Sequence, residues 1–434
     1  MNAPLLIHNA TVVNRGAARP GWVAVESGVI TATGQGPAPE ALLRTPGIDI
    51  HDLSGRLLMP GAIDTHVHFR EPGMTHKATM ASESRAALAG GVTSVIDMPN
   101  TVPPTVSIEA WEHKMELAAA SMAVNYAFFI GATRSNTEEL LHADYTRVAG
   151  VKVFMGSSTG GMLLDDDDAL VRVWRDIPAL VAVHAEDQAI VASATARAIE
   201  AASGAADLPV EMHPTLRPRE ACTEATRRAV AMARRYGTRL HVAHVSTADE
   251  LQFAAEGYDV AAKRITFETA PQYLLFDSAD YHRLGARIKC NPAIKEASDR
   301  EALRRAVASG LIDTVATDHA PHLLTEKTGG ALKAVSGMPM VQFSLPVMLG
   351  LYDAPTVARV MAHNPAVAFG IEGRGFIEPG YAADMAVVEE TAPYTVTDAD
   401  TVSLCRWTPL AGTVLRHRVV RTYLAAPTPL RFRN

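Results

Sequence analysis

Histidine is the residue type whose spacing in this chain first suggests chemistry. Sixteen histidines occur among 434 residues, and two of them, His66 and His68, lie two positions apart in an apolar run. Side chains two apart on a β-strand point to the same face, so both imidazoles would face one cavity. The pair alone fits an ordinary core arrangement as well as a metal site.

Further metal-ligand types follow other apolar runs. His184, His244 and Asp318 each come at the end of a separate segment rich in Val and Ala. Neutral imidazole and carboxylate are ligands that suit Zn²⁺ and similar divalent ions. Five such ligands exceed the three that an open mononuclear site needs, which indicates two metal ions.

Lys152 is the remaining polar residue near the end of such a segment. Two neighbouring cations repel each other and need a bridging anion. A buried lysine with a lowered pKa can react with carbon dioxide to form a carbamate, which is a carboxylate. From the residue alone, a lysine that reaches the rim or pairs with an acid is the simpler interpretation.

The elements that carry these residues alternate between short Val-, Ile- and Ala-rich runs and stretches of helical period, which is typical of βα units. Eight strands are predicted, at 61–69, 91–100, 125–132, 150–155, 180–186, 239–246, 265–273 and 314–320. Helices are predicted at 78–89, 108–119, 166–175, 221–235, 248–255 and 300–309. Polar residues recur at the ends of five or more strands, which favours a closed (β/α)8 barrel over a doubly wound open sheet.

The two ends of the chain have a different sequence pattern from this central part. Strand-like runs without helical period occupy 5–13, 22–31, 385–388 and 413–423. We therefore expect an α/β protein in which a small β-sandwich domain, built from 1–57 and 371–434, encloses a barrel at 58–370.

Composition excludes several classes of protein. Forty Lys and Arg against 47 Asp and Glu give a net charge of −7, and no basic block is present, so neither nucleic acid nor an anionic membrane is expected as a partner. Three dispersed cysteines indicate neither a disulfide framework nor a thiolate zinc site. The N-terminus lacks the pattern of a signal peptide, and the longest uncharged stretch, 117–133, is interrupted by polar residues, so a cytoplasmic protein without a membrane span is expected.

Six motifs in combination resemble the amidohydrolase superfamily, and within it the dihydroorotase family. The motifs are Asp64-Thr65-His66-Val67-His68-Phe69-Arg70-Glu71-Pro72-Gly73, Asp97-Met98-Pro99-Asn100-Thr101, Lys152-Val153-Phe154, His184-Ala185-Glu186, His244-Val245-Ser246 and Asp318-His319-Ala320-Pro321-His322. The similarity extends from about residue 52 to the end of the chain.

This resemblance implies a ligand set for two divalent ions, most simply Zn²⁺. Residues matching His66, His68 and Asp318 hold the more buried ion, and those matching His184 and His244 hold the other. A carbamate on the lysine matching Lys152 bridges the two ions.

The resemblance also implies the reaction and its substrate contacts. A hydroxide that bridges the metals attacks the ring amide of dihydroorotate, Asp318 carries the proton, and the reverse reaction cyclises N-carbamoyl-L-aspartate in pyrimidine biosynthesis. Arg70 would bind the substrate carboxylate, assisted by Asn100 and His322, and Asn291 would contact the ring amide. Arg70 fits this role because a guanidinium can donate two hydrogen bonds to a carboxylate.

Several alternatives stay open at this point. Other cyclic-amide hydrolases, allantoinase and hydantoinase, resemble the chain in metal ligands, and a non-catalytic scaffold could keep the barrel. Arg70 could instead form a surface ion pair with Glu71 or Glu83, and Asn291 could serve only as a turn residue before proline. We also expect a homo-oligomer, a dimer. Strand parity predicts that His241 and His319 face the helical layer.

Overall fold

The computed structural model describes residues 4–156 and 162–433. Its strands are β1 (Leu5–Asn14), β2 (Ala17–Glu26), β3 (Val29–Gln35), β4 (Asp49–Asp52), β5 (Leu57–Pro60), β6 (Ala62–Val67), β7 (Val92–Asp97), β8 (Asn125–Phe128), β9 (Ile130–Gly131), β10 (Val151–Phe154), β11 (Val181–His184), β12 (Leu240–Val242), β13 (Ile265–Thr269), β14 (Thr314–Val315), β15 (Met385–Thr395) and β16 (Val414–Tyr423).

The α-helices are α1 (Glu40–Leu43), α2 (Met80–Ala89), α3 (Ile108–Ser121), α4 (Thr137–Leu140), α5 (Asp167–Asp176), α6 (Gln188–Ala201), α7 (His213–Leu216), α8 (Arg219–Tyr236), α9 (Pro271–Leu275), α10 (Tyr281–Leu284), α11 (Ala297–Ser309), α12 (Ser344–Leu351), α13 (Ala354–Ala358) and α14 (Asn364–Phe369). Short 3₁₀ segments are Val210–Met212, Asp249–Phe253, Val260–Ala262, Ser278–Asp280, Gly285–Ile288, Leu324–Lys327, Val341–Phe343 and Asp398–Asp400, and Arg359–His363 is a π-helical turn before α14.

Strands β6 to β14 form the predicted (β/α)8 barrel. They pair in parallel in the order β6-β7-β8 and β9-β10-β11-β12-β13-β14, and β8 and β9 together make the third strand. The barrel closes between its first and last strands, where Val67 bridges His319 and the backbone N–H of His68 donates to the His319 carbonyl at 2.8 Å. All eight strands lie within the predicted ranges, so the strand ends that carry polar residues meet at one rim.

Alternation along each barrel strand separates the interior from the helical layer. Residues such as Val95 of β7 and Val153 of β10 pack in the large core beneath the helices. Ile96, Ala182 and Phe369 belong to a separate buried cluster, which fills the barrel interior below the polar rim. The side chains at the rim therefore stand on a packed apolar floor.

The terminal strands form a second sheet, in the order β16-β15-β5-β1-β2-β3 with β4 also paired to β1. Strands from both ends of the chain thus hydrogen-bond to each other, as β15 and β5 do in antiparallel register. The predicted run at 22–31 covers the end of β2, a hairpin turn and the start of β3, because Ser27 and Gly28 both have positive φ and reverse the chain between the two strands. The boundaries 1–57, 58–370 and 371–434 stay a prediction.

Two local predictions were wrong. The helix expected at 248–255 is only the 3₁₀ segment Asp249–Phe253, because the buried Glu250 carboxylate accepts hydrogen bonds from the backbone N–H groups of Ser246 and Thr247 just before it. These bonds tie the segment to the preceding strand end.

The second error concerns His241, which faces the barrel interior and not the helices. It lies in register with Ala182 of β11, and its Nε2 is 3.1 Å from Glu268 Oε2. The prediction from strand parity failed because β12 ends at Val242 and His244, beyond the strand, has a φ of 38°. The alternation of side chains therefore does not continue from His241 to His244. His319 does face the helices, where its Nε2 lies 2.8 Å from Glu83 of α2.

Candidate metal centre and substrate pocket

The barrel rim encloses a pocket that collects most of the predicted site residues. Its lining residues are His66, His68, Arg70, Asn100, Phe154, His184, His244, Asn291, Asp318, Ala320, Ser336 and Gly337. The two other predicted residues, Lys152 and His322, are buried beside it. The structure therefore brings together at one rim ten residues that are dispersed over more than 250 positions of the sequence.

The first group of possible metal ligands comprises His66, His68 and Asp318. Their ligand atoms lie within 4.8 Å of one another, and all three side chains are buried. Asp318 Oδ1 is 3.1 Å from His68 Nε2 and 3.5 Å from His66 Nε2. Two imidazole nitrogens and a carboxylate oxygen thus converge as a cation would require.

The second group comprises His184 and His244, which end β11 and follow β12. His184 Nδ1 and His244 Nε2 are 2.9 Å apart, and the ring centroids of His66 and His244 are separated by 5.1 Å. The two groups are therefore neighbours in one cavity.

Lys152 lies on β10, which pairs with β11, the strand that ends at His184, and its side chain is completely buried. Its Nζ has no hydrogen-bond partner among the described residues, and the same holds for Nδ1 of His244. Burial lowers the pKa of Lys152 to about 8, although the charges of Glu268 and Asp318 oppose the shift. A buried nitrogen without a partner is costly, and a bound cation with a modified lysine would remove that cost.

Three acceptors hold the outward-facing nitrogens of the imidazoles. Glu268 Oε1 is 3.0 Å from His66 Nδ1, Asn100 Oδ1 is 2.7 Å from His68 Nδ1, and Glu186 Oε2 is 2.9 Å from His184 Nε2. An imidazole that donates through one nitrogen presents a lone pair on the other, so these contacts direct Nε2 of His66 and His68, and Nδ1 of His184, into the pocket.

The neutral state of the imidazoles in this cluster favours metal binding. Burial lowers the pKa of His66 to about 4, and it also lowers the pKa of His68 and His244 well below the usual value. Burial opposes ionisation of Glu268, but hydrogen bonds from His241 and His66 outweigh it and lower the pKa of Glu268. Burial raises the pKa of Asp318, the carboxylate of the first ligand group, although the charges of His66 and Lys152 oppose the shift. Neutral imidazoles are the form that binds divalent cations, and a bound cation would favour the ionised carboxylate.

Sequence reasoning missed the two carboxylates behind the histidines. Glu186 follows His184 by two positions. Its carboxylate accepts a hydrogen bond from the guanidinium of Arg217, with an Nη2–Oε2 distance of 2.5 Å. Glu268 is a lone charged residue within β13. A charged side chain inside an otherwise apolar barrel strand was the available signal, because such a group is buried only with partners.

The opposite side of the pocket is built around Arg70. This residue follows β6, is only 2% exposed, and makes neither of the surface ion pairs considered from the sequence. Arg70 Nε donates to the carbonyl of Pro321 at 3.0 Å, and Nη2 lies 2.9 Å from His322 Nε2. Lys77, which sequence reasoning did not single out, places its Nζ 3.1 Å from the other ring nitrogen of His322.

Asn291 and Gly337 form the wall next to this cluster. His213 Nε2 lies 3.1 Å from Asn291 Oδ1, so the amide of Asn291 is fixed in the wall and does more than form a turn. A Cβ at Gly337 would lie 2.7 Å from the Ala320 carbonyl oxygen, and its φ of 125° also requires glycine. Gln342, five positions after this glycine, does not line the pocket, and its amide donates to the carbonyl of Asp400.

Three pocket residues that follow barrel strands have left-handed backbones. The φ values are 67° for Arg70, 38° for His244 and 49° for Asp318. Such conformations are uncommon for residues with a Cβ and concentrate at functional sites. The strand ends therefore turn sharply where their side chains enter the pocket.

Comparison with known proteins agrees with this geometry. The model of the Amidohydrolase family matches residues 57–410. A dihydroorotase of Halobacterium salinarum is 38% identical over 365 residues, which are 82% of each chain. An allantoinase of Streptomyces avermitilis is 33% identical over 430 residues, covering 97% of this chain and 94% of its own. Among solved structures, L-hydantoinase (dihydropyrimidinase) from Arthrobacter aurescens is 26% identical with a TM-score of 0.89 and covers 97% of this chain and 94% of its own.

The chain therefore belongs to the amidohydrolase family, whose members are metal-dependent hydrolases. Within that family it is a cyclic amidohydrolase. In residues 4–156 and 162–433 no helix combines the length and apolar character needed to cross a membrane. The cytoplasmic location and the dimer stay predictions from the sequence.

Proposed function

We propose that the chain is a dihydroorotase, which interconverts dihydroorotate and N-carbamoyl-L-aspartate in de novo pyrimidine biosynthesis. The observation that carries this choice is the cationic cluster on one side of the pocket. Arg70, Lys77 and His322 meet there, and Arg70 is buried and lines the cavity. Burial lowers the pKa of Arg70 to about 10, so the guanidinium remains charged at neutral pH.

A buried guanidinium beside an open cavity favours an anionic ligand. Arg70 uses one N–H on the Pro321 carbonyl, and its terminal nitrogens remain close to the pocket. Dihydroorotate carries a carboxylate on its ring, whereas allantoin and hydantoin carry none. A carboxylate is therefore the substrate group that complements this side of the cavity.

The opposite side fits two divalent cations, which we propose to be Zn²⁺. His66, His68 and Asp318 would hold one ion, His184 and His244 the other, and a carbamate on Lys152 would join them. The fit rests on the converging nitrogen and oxygen donors and on the buried Nζ of Lys152, which has no hydrogen-bond partner within residues 4–156 and 162–433. When bound, such ions polarise an amide carbonyl and lower the pKa of water from about 15.7 towards about 7.

The side chains of the pocket would orient the substrate and transfer the proton. Arg70, with His322 and Asn100, would orient the ring by its carboxylate, and Asn291 would contact the ring amide. Asp318 lies in the pocket wall, where its carboxylate would accept the proton of the attacking water and deliver it to the leaving ring nitrogen. Glu186 and Glu268 keep the imidazoles in the orientation described above.

Hydrolysis of a neutral ring is the second candidate function. It is favoured by the allantoinase of Streptomyces avermitilis, which matches nearly the whole chain at 33% identity. The two functions differ in what they require of Arg70, because a neutral ring does not need a buried cation.

Substitution of Arg70 tests the choice. With Arg70→Met, kcat/KM on dihydroorotate should fall about 100-fold, since hydrogen bonds between charged groups are lost, while kcat/KM on hydantoin should not fall in parallel. Arg239→Met is the matched control, because Arg239 is a half-buried arginine that donates to the Ala368 carbonyl away from the pocket. An Arg70→Met enzyme with unchanged dihydroorotate kinetics would contradict the proposal.

A further inference from the structure

Two cationic side chains contact the same imidazole on the Arg70 side of the pocket. Arg70 Nη2 is 2.9 Å from His322 Nε2, and Lys77 Nζ is 3.1 Å from His322 Nδ1. Arginine and lysine offer donors only, and a neutral imidazole has one lone pair and one N–H. His322 can therefore accept a hydrogen bond from one of the two cations, and its remaining nitrogen carries a proton.

The His322 ring is neutral in this environment. Burial lowers its pKa most strongly, and the charges of Arg70, Lys77 and Lys327 lower it further. One donor–donor contact is then unavoidable in the absence of an anion. Which nitrogen carries the proton decides whether that contact can be relieved by a ligand.

The two ring nitrogens face different surroundings. Nδ1 faces Lys77 Nζ at 3.1 Å, and Glu326 lies next to both, with Oε1 2.6 Å from Lys77 Nζ and Oε2 3.8 Å from Nδ1. Nε2 faces Arg70, which lines the pocket. A carboxylate bound beside Arg70 could accept a hydrogen bond from Nε2–H, whereas the Nδ1 side already holds Lys77 and the carboxylate of Glu326.

The position of the His322 ring is also fixed. Trp407 Nε1 donates to the His322 carbonyl at 2.7 Å, and a Cβ at Gly337 would lie 3.0 Å from His322 Cδ2. The ring therefore has little freedom to turn away from either cation.

We propose that Lys77 is a positioning residue for recognition of the substrate carboxylate. Its ammonium donates to Nδ1 of His322 and so fixes the tautomer in which Nε2 carries the proton. The Nε2–H group and the guanidinium of Arg70 then donate together to one carboxylate. This inference rests on the proposed function, since it concerns the same anion.

The loop geometry connects these residues directly. Arg70 and Lys77 lie in one segment between β6 and α2, where the Met74 N–H donates to the Arg70 carbonyl and the Lys77 N–H donates to the Met74 carbonyl, both at 3.0 Å. Glu326 in turn accepts from the backbone N–H of Leu323 at 2.9 Å. One loop thus supplies both cations, and the segment that follows His322 supplies the counter-charge of Lys77.

Calorimetric binding of orotate and uracil to the metal-loaded enzyme tests this role without turnover. Orotate has a ring carboxylate and uracil lacks it. We expect the wild type to prefer orotate, and Lys77→Met to weaken orotate binding about tenfold through loss of one charge-assisted hydrogen bond, with a smaller effect on uracil. Lys77→Arg should restore most of the preference, because a guanidinium can also donate to Nδ1.

Lys263→Met is the matched control. Lys263 is a buried lysine whose Nζ is 2.7 Å from Asp313, before the start of β13 at the other end of the barrel. It should bind orotate as the wild type does. Glu326→Gln, which removes the counter-charge of Lys77, gives a second and milder test if Lys77→Met is unstable.

The inference is overturned if Lys77→Met binds orotate as tightly as the wild type, if Lys263→Met loses as much, or if the wild type does not distinguish orotate from uracil. Failure of the proposed function has a different signature. A wild type that prefers orotate but does not turn over dihydroorotate would contradict the function and leave the role of Lys77 intact.

Discussion

The two sides of the pocket differ in the polar atoms that they present to the cavity: one side presents hydrogen-bond acceptors and the other presents donors. On the side of His66, His184 and Lys152, nitrogen lone pairs face the cavity, and the buried amine of Lys152 beside it has no hydrogen-bond partner in the part of the chain that the structure describes. On the side of Arg70 and His322, donors face it. Both sides are buried to a similar degree, so solvent exposure does not explain the contrast.

The difference indicates that one cavity is prepared for cations at one end and for an anion at the other. A substrate that spans both ends needs a hydrolysable carbonyl and a carboxylate in one small ring. Each prediction below removes a feature of one side and asks whether the other side still works.

Asp318→Asn should have the largest effect. Loss of the carboxylate that carries the proton should lower kcat by about 10³-fold, while the neighbouring histidines keep most of the metal. Steady-state kinetics with elemental analysis of the same sample checks this result. A variant with near wild-type kcat would remove Asp318 from the proton transfer.

Lys152→Ala should lower activity about 100-fold, because the bridging group between the two ligand sets is lost. Short carboxylic acids such as acetate should restore part of the activity by taking the place of the carbamate. Lys263→Ala, in a buried lysine remote from the pocket, should show no response to acetate. Absence of any rescue in Lys152→Ala would weaken the carbamate assignment.

Glu268→Gln should have the smallest effect of the three. The amide still occupies the same space, but it holds Nδ1 of His66 less firmly, so metal affinity should fall about tenfold. Competition with a chelator measures that affinity independently of turnover. Equal affinity in the variant and the wild type would show that Glu268 does not orient the ligand.

The barrel could be predicted from the sequence because its signals are periodic. Eight apolar runs alternate with helical stretches, and polar residues such as His184 and Asp318 end those runs, so the rim followed from one rule about strand ends. The 3₁₀ segment Asp249–Phe253 was predicted as part of a longer helix because local side-chain hydrogen bonds, such as those of Glu250, decide its conformation.

The sequence predicted which candidate ligands lie together, whereas the residues that surround them were harder to predict. His66 and Asp318 belong to recognisable motifs, whereas Glu268 and Lys77 act through contacts with residues far along the chain. His241 was placed on the wrong face because strand parity ends where the backbone enters the left-handed region at His244. Such contacts depend on tertiary structure, which cannot be derived from the local pattern of a single sequence.

The most direct measurement is the specificity of the metal-loaded wild type. Comparing kcat/KM for dihydroorotate, allantoin and hydantoin on one preparation tests whether the cationic and anionic ends of the pocket act together. We predict that dihydroorotate is preferred, about 100-fold or more, because only this ring offers a carboxylate to Arg70. Equal or better turnover of allantoin or hydantoin would contradict that claim.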